Sequence, residues 1–198
     1  MKTNHEIKKA ALASLKGNWG LAIGAFFVVY LIQGAISALP KGGSLLSLLT
    51  AGPFMLGVAY FTLAYARNEE PRFEQVFDGF KEFGRTLGAY ILMFLIVFGL
   101  TLLLIIPGII AALSLSMTFF ILADDPDISV GDALDKSHQM MKGHRWKLLG
   151  LYLSFIGWFI LSLLSLGIGL LWLIPWIQIS KAHFYEDIKD MPAVEIKI

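Results

Sequence analysis

His183 and Glu186 stand one helical turn apart, with Lys181 and Asp187 close by. That spacing suits an acid–base pair, and a Glu and a His three apart on a helix can also share a metal ion. The plainer reading is a solvated helix end, with Phe184 and Tyr185 at the membrane surface, and it is favoured. Asp124, Asp125 and Asp127 form a second cluster whose carboxylates could hold a hard cation. Asp-Pro-Asp just before Ser129 also reads as a turn and helix start, where acidic groups are stabilising without any metal. A third set is basic and aromatic: Lys16, Trp19, Arg85, Lys142, His144, Arg145, Trp146 and Lys147. Such residues at a membrane entry can grip anionic lipid headgroups. They also do plain anchoring, with Lys and Arg snorkelling and Trp in the aromatic belt, and this reading carries more weight.

No HExxH, Walker loop or GxSxG occurs in the chain. The paired-Asp pattern of CDP-alcohol phosphotransferases and the Lys/Arg-His patterns of membrane lipid phosphatases are missing too. The chain has no cysteine, so it makes neither disulfides nor thiolate metal sites. Its net charge of +1 gives no electrostatic case for nucleic acid. A non-enzymatic protein without cofactor is expected.

These residues must be positioned by a very apolar chain. It is 57% hydrophobic and 16% charged, with a mean hydropathy of +0.69; soluble domains run nearer 25% charged. Fifteen of the sixteen Lys and Arg residues, and all fifteen Asp and Glu residues, fall within 1–18, 67–85, 124–147 and 181–198. Only Lys41 lies elsewhere. The uncharged runs between them are 17–40, 42–66, 86–123 and 148–180. A span needs about 20 residues, so the last two runs are too long for one helix and must fold back. Breaks are expected at Pro107-Gly108 and at Leu166-Gly167-Ile168-Gly169. Six spans follow, at about 19–39, 45–66, 87–106, 109–123, 146–165 and 170–185. The N-terminal apolar stretch is long enough to span and is read as a retained helix, not a cleaved signal peptide. The positive-inside rule puts the charged segments and both termini in the cytoplasm.

The polar segments carry their own periodicity. Residues 4–16 place Ile7, Ala11 and Leu15 on one face, with capping-box spacing at Thr3 and Glu6. Residues 72–83 gather Phe73, Val76, Phe77, Phe80 and Phe83, an apolar face suited to the interface plane or the underside of the bundle. Residues 129–142 align Val130, Leu134, Ser137 and Met141, with Ser129 and Asp132 spaced as a cap. Each amphipathic helix leads into a Gly-basic corner, Lys16-Gly17-Asn18-Trp19, Phe83-Gly84-Arg85 and Lys142-Gly143-His144-Arg145-Trp146, and then into a hairpin. The expectation is one membrane domain with a threefold parallel pseudo-repeat, in units of about 4–66, 72–123 and 129–187.

No charged residue is expected inside the core of a span. Gln33 and Gln178 are the largest polar groups there and are candidates to line a cavity. Gly20 and Gly24 form a GxxxG, and Gly150 and Gly157 a second small face, both signals of close helix packing.

Several stretches resemble a known family. They are Ile106-Pro107-Gly108-Ile109, Leu122-Ala123-Asp124-Asp125-Pro126-Asp127 and Met141-Lys142-Gly143-His144-Arg145-Trp146-Lys147, followed by Phe155-Ile156-Gly157-Trp158, Leu166-Gly167-Ile168-Gly169 and Phe184-Tyr185-Glu186-Asp187. Together they are similar to a bacterial integral-membrane family, domain of unknown function 975, and more distantly to the membrane domains attached to some glycerophosphodiester phosphodiesterases. Position 125 is Asp where the motif has Asn. The resemblance implies a multi-span protein of a bacterial cytoplasmic membrane and supplies no activity. The basic-aromatic corners, the interfacial helices and the missing catalytic motifs point to a lipid-interacting protein or a scaffold for a membrane partner or a second copy. The alternatives are a small permease or channel for a neutral or amphiphilic solute and, third, an intramembrane enzyme.

Overall fold

In a computed structural model, which describes residues 1–191, every regular element is a helix. The polar N-terminal segment forms α1 (Asn4–Leu15), and α2 (Trp19–Ser37) and α3 (Gly43–Ala66) follow. A short α4 (Gln75–Asp78) and a one-turn 3₁₀ helix (Gly79–Glu82) lead into α5 (Phe83–Leu103). Next come α6 (Ile105–Ser114), α7 (Thr118–Asp124) and α8 (Val130–Met140). The chain finishes with α9 (Arg145–Leu153), α10 (Ile156–Leu164) and α11 (Leu170–Ile188). Of the C-terminal polar segment 181–198, residues 192–198, with Glu195 and Lys197, lie outside the described residues.

Five helical stretches among the described residues are long and apolar enough to cross a membrane: Trp19–Ser37, Gly43–Ala66, Gln75–Leu103, Ile105–Asp124 and Arg145–Leu164. The expected sixth, at about 170–185, falls in α11 and is not among them; Lys181, Glu186 and Asp187 crowd its second half.

Two local expectations are corrected. The turn between the third and fourth apolar helices comes at Leu104, whose backbone is extended (φ −158°, ψ 138°), and not at Pro107-Gly108. Pro107 sits instead in the first turn of α6, where its missing N–H costs nothing because the opening N–H groups of a helix are unpaired anyway. The second corner is built differently from the other two. Gly17 (φ 91°) and Gly143 (φ 80°) take left-handed conformations that reorient the chain, whereas Gly84 is helical and the backbone leaves the helical region at Glu82 (φ −114°, ψ 41°), between the 3₁₀ turn and α5.

Two apolar stretches are interrupted. α6 gives way to α7 over 115–117, and α9 to α10 over 154–155. Serine and threonine hydroxyls at these breaks bond back to the preceding turn and compete with the helix ladder. Ser116 Oγ donates to the Leu113 carbonyl at 2.7 Å, Thr118 Oγ1 to Leu115 at 2.8 Å and Ser154 Oγ to Leu151 at 2.7 Å.

The amphipathic segments do not float free. Each packs on a helix of the bundle. α1 buries Ile7, Ala11 and Leu15 completely, lies along α11, and receives the Trp176 indole N–H on its Lys8 carbonyl at 3.1 Å. The 75–82 segment lies on α3, backbone against backbone: a Cβ on Gly57 would fall 2.0 Å from the Val76 carbonyl oxygen, and one on Gly79 would fall 2.0 Å from that of Pro53. α8 lies on α7 and α6, and Ser137 enters the break between them. Both expected caps are present. Thr3 and Glu6 exchange side-chain and backbone bonds, and Ser129 accepts the Asp132 amide at 3.1 Å.

Gly43, Gly108 and Gly169 each make a close approach. A Cβ on Gly43 would lie 2.6 Å from the Ile36 carbonyl, one on Gly108 2.0 Å from Thr101 Oγ1, and one on Gly169 2.7 Å from Ser162 Oγ. In each case the partner stands seven residues earlier. The signals expected from Gly20, Gly24 and Gly157 are not used this way, since the space where their Cβ atoms would be is open. Gly150 faces only the Asn4 side chain, at 3.3 Å. α3, α7 and α11 are the best-buried helices, whereas α10 and the far half of α5 expose Leu, Ile, Phe and Trp.

Candidate binding cavity

α11 brings Gln178 and Lys181 onto one face because they are three residues apart. That face looks into a half-open cavity of about 370 Å³ lined by α2, α3, α5, α7 and α11. The two glutamines expected to line a cavity both line this one. Gln33 is fixed at one side, its Oε1 accepting from Thr50 Oγ1 at 3.1 Å and Ser47 Oγ at 3.4 Å. Most of the remaining wall is apolar or aromatic, including Phe26, Phe54, Tyr90, Phe119 and Phe120. The volume falls in the range of about 300–1,000 Å³ usual for small-molecule sites, and a mostly apolar wall with a few polar groups is their usual make-up.

Lys181 is the residue that sequence reasoning missed. It counts with the charged C-terminal segment in a one-dimensional reading, and no charge was expected inside the bundle. The structure turns its side chain inward, with Nζ 5.3 Å from the centre of the Phe120 ring. A cation over an aromatic face gains about 0.5–2 kcal/mol. No carboxylate among the described residues pairs with it. The one available signal was its i+3 spacing from Gln178.

The ends of α3, α7 and α11 are tied together by charge. Arg67, just past α3, pairs with Asp124 at the end of α7 and with Glu186 of α11, donating from Nε to Glu186 Oε1 at 2.9 Å. Tyr185 donates to the other oxygen of Asp124 at 2.8 Å, and its ring stacks on Phe120 at 5.3 Å. Asp125 caps its own turn, accepting the amides of Asp127 and Ile128 at 3.1 Å. Asp124 and Asp125 of the 124–127 cluster therefore serve different partners. His183 does not meet Glu186 but Ser14 of α1, with Nε2 and Oγ 2.9 Å apart. This pair pins α1 to α11.

The basic and aromatic residues are dispersed. Lys16 is exposed at the end of α1, while Trp19 lines a lateral groove with Trp158, Trp172 and Trp176. Arg85 is turned inward, donating to the carbonyls of Asp125 at 2.6 Å and Ile128 at 3.0 Å and pairing with Glu82. Lys142 is half-buried in the turn before α9, and His144 is buried at its start. Arg145 reaches His138 at 3.4 Å, and Trp146 is 70% exposed. Lys147 approaches Asp187 at 3.5 Å and lies over the Phe184 ring at 5.8 Å. Lys16, Lys142 and Trp146 thus remain at the surface, while Arg85 and Lys147 are engaged within the fold.

Comparison with known proteins finds one family model, described as protein of unknown function (DUF975), matching residues 93–191, which is half of the chain. The matched stretch runs from α5 through α11 and includes Lys181. No curated protein and no solved structure matches the chain.

Proposed function

Because this chain belongs to the DUF975 family of proteins of unknown function, its role must be read from its own geometry, and we propose that it is a non-enzymatic membrane protein that takes up an amphiphilic molecule. The observation that carries this reading is the cavity of about 370 Å³, apolar over most of its wall and polar at Gln33, Gln178 and Lys181. An ionisable group among membrane helices is expensive and marks a functional site by default. The rest of the wall suits a hydrocarbon chain.

The scaffold we propose has six spans in three hairpins with threefold pseudo-symmetry. The cyclic docking of the amphipathic segments supports it: α8 sits on α6/α7, the 75–82 segment on α3, and α1 on α11, so each unit's segment covers the second helix of the preceding unit. The glycine contacts at 43, 108 and 169, each to the residue seven before, support three equivalent reversals. On this reading the inner ring is α3, α6/α7 and α11, and the exposed apolar side chains of α5 and α10 face lipid. The charged segments and both termini are assigned to the cytoplasm of a bacterium, from charge bias and family resemblance.

The basic-aromatic corners keep a secondary role as lipid anchors through Lys16, Lys142 and Trp146, and a membrane-protein partner or second copy fits the scaffold. A second reading, a permease for a neutral or amphiphilic solute, is favoured by Gln33 and Gln178 sharing one cavity.

Native mass spectrometry of protein purified from its own membranes tests the uptake reading. The wild type should retain a bound amphiphile through delipidation, and Ala51→Trp, which fills the cavity from α3, should lose it. Equal retention by both would sink the proposal.

A further inference from the structure

We infer that the molecule held in this cavity is a single-chain amphiphile with an anionic head, bound at Lys181. The inference rests on the uptake reading above and specifies its ligand.

Three observations carry it. Lys181 presents its ammonium to the cavity over the Phe120 ring, and no described carboxylate neutralises it. An ammonium taken out of water among apolar helices is stabilised by a counter-charge, and here the ligand supplies it. Second, Gln178, one turn along α11, lines the same wall and carries two amide N–H donors. A carboxylate or phosphate head would thereby meet a cation and an amide together. Third, the acids at the ends of α7 and α11 are already used: Asp124 is paired with Arg67 and Tyr185, and Glu186 with Arg67 and Lys189. The network that seals the cytoplasmic ends of the inner helices therefore leaves Lys181 as the uncompensated charge on the cavity side. The aromatic wall of Phe26, Phe54 and Phe119, with Met55 and Val58, then receives one hydrocarbon chain.

The shared head chemistry is a compact anion. A fatty-acid carboxylate and a monoalkyl phosphate both satisfy it, and the test separates them. The full-length protein is placed in nanodiscs of phosphatidylcholine, and binding is measured for tetradecanoate, tetradecyl phosphate and neutral 1-tetradecanoylglycerol. At least one anionic probe should bind about tenfold tighter than the neutral one, as a charge-assisted contact implies. The tighter of the two anions identifies the head. Lys181→Met should erase the preference, and Lys181→Arg should keep it. A melting midpoint close to wild type for both variants shows that folding is not the cause. If wild type and Lys181→Met treat anionic and neutral probes alike, the anionic assignment is overturned and the uptake reading survives. If no probe binds wild type better than it binds Ala51→Trp, both fall.

Discussion

Ser137 of α8 completes the broken helix that ends at Ser114: its hydroxyl donates to the Ser114 carbonyl at 2.8 Å and accepts the Met117 amide at 3.2 Å. Both backbone groups are freed by the break, both are buried, and no intrahelical partner is left for the Met117 amide. An amphipathic helix thus supplies the hydrogen bonds that a backbone among apolar helices must have.

Ser137→Ala removes that bridge and leaves a buried donor and acceptor unpaired. The expected loss is about 1–3 kcal/mol, read as a lower melting midpoint in detergent. Ser129→Ala, which removes only the helix cap, should cost about 1 kcal/mol. A Ser137→Ala variant as stable as wild type would show that α8 is only resting against the bundle.

Arg67 links α3 to Asp124 and Glu186, and its side chain is 28% exposed. Arg67→Met should destabilise by about 1–2 kcal/mol, allowing for solvent screening of partly exposed pairs. Adding Glu186→Gln should recover part of that loss, because one unpaired acid is removed. Strict additivity of the two changes would argue against a coupled network.

Glycine substitutions should sort by space. Gly57→Ala drives a methyl into the Val76 backbone and should cost about 1–3 kcal/mol, toward the upper end because backbone cannot rotate away. Gly20→Ala and Gly24→Ala meet nothing and should be neutral or stabilising by up to about 1 kcal/mol. Thermal shift on the three variants checks the order.

Acid should weaken the fold in two stages. Burial, then the charge of Lys147, pushes the His144 pKa below 6.5, with Asp187 opposing. Burial, then Arg145 and Lys142, does the same for His138, with Asp135 opposing. The folded state then binds fewer protons than the unfolded chain, so this stability is complete above pH 6.5 and is lost as pH falls below it. Glu6 is held below 4.5, first by the Thr3 backbone and then by its hydroxyl, so its contribution is lost only below pH 4.5. The melting midpoint should therefore drop from pH 7 toward pH 5, and less so in His144→Gln. A midpoint that rises on acidification would contradict the sign.

Topology is directly accessible because the chain has no cysteine. Lys41→Cys and Leu166→Cys should react with an impermeant maleimide added outside intact cells. Arg72→Cys and Asp135→Cys should react only after permeabilisation. The reverse pattern would overturn the proposed orientation.

Hydropathy and charge order along the chain determined that this is an all-helical protein with several membrane-length helices, where its polar segments fall, and which faces of 4–16, 72–83 and 129–142 are apolar. Those properties are local: a bilayer tolerates neither unpaired charge nor unpaired backbone, so composition alone reveals them. The pairing of Gln33 with Gln178 in one cavity was anticipated as a possibility, since both are large polar groups in apolar runs. Tertiary structure alone decided that Lys181 turns inward, that Arg85 is spent on the Asp125 and Ile128 carbonyls, and that Ser137 bridges a break far from it in the chain. It also moved the close-packing glycines from 20 and 24 to 52, 57 and 79. Each of these depends on which distant backbone comes within a few ångströms, and no window along the chain contains that distance.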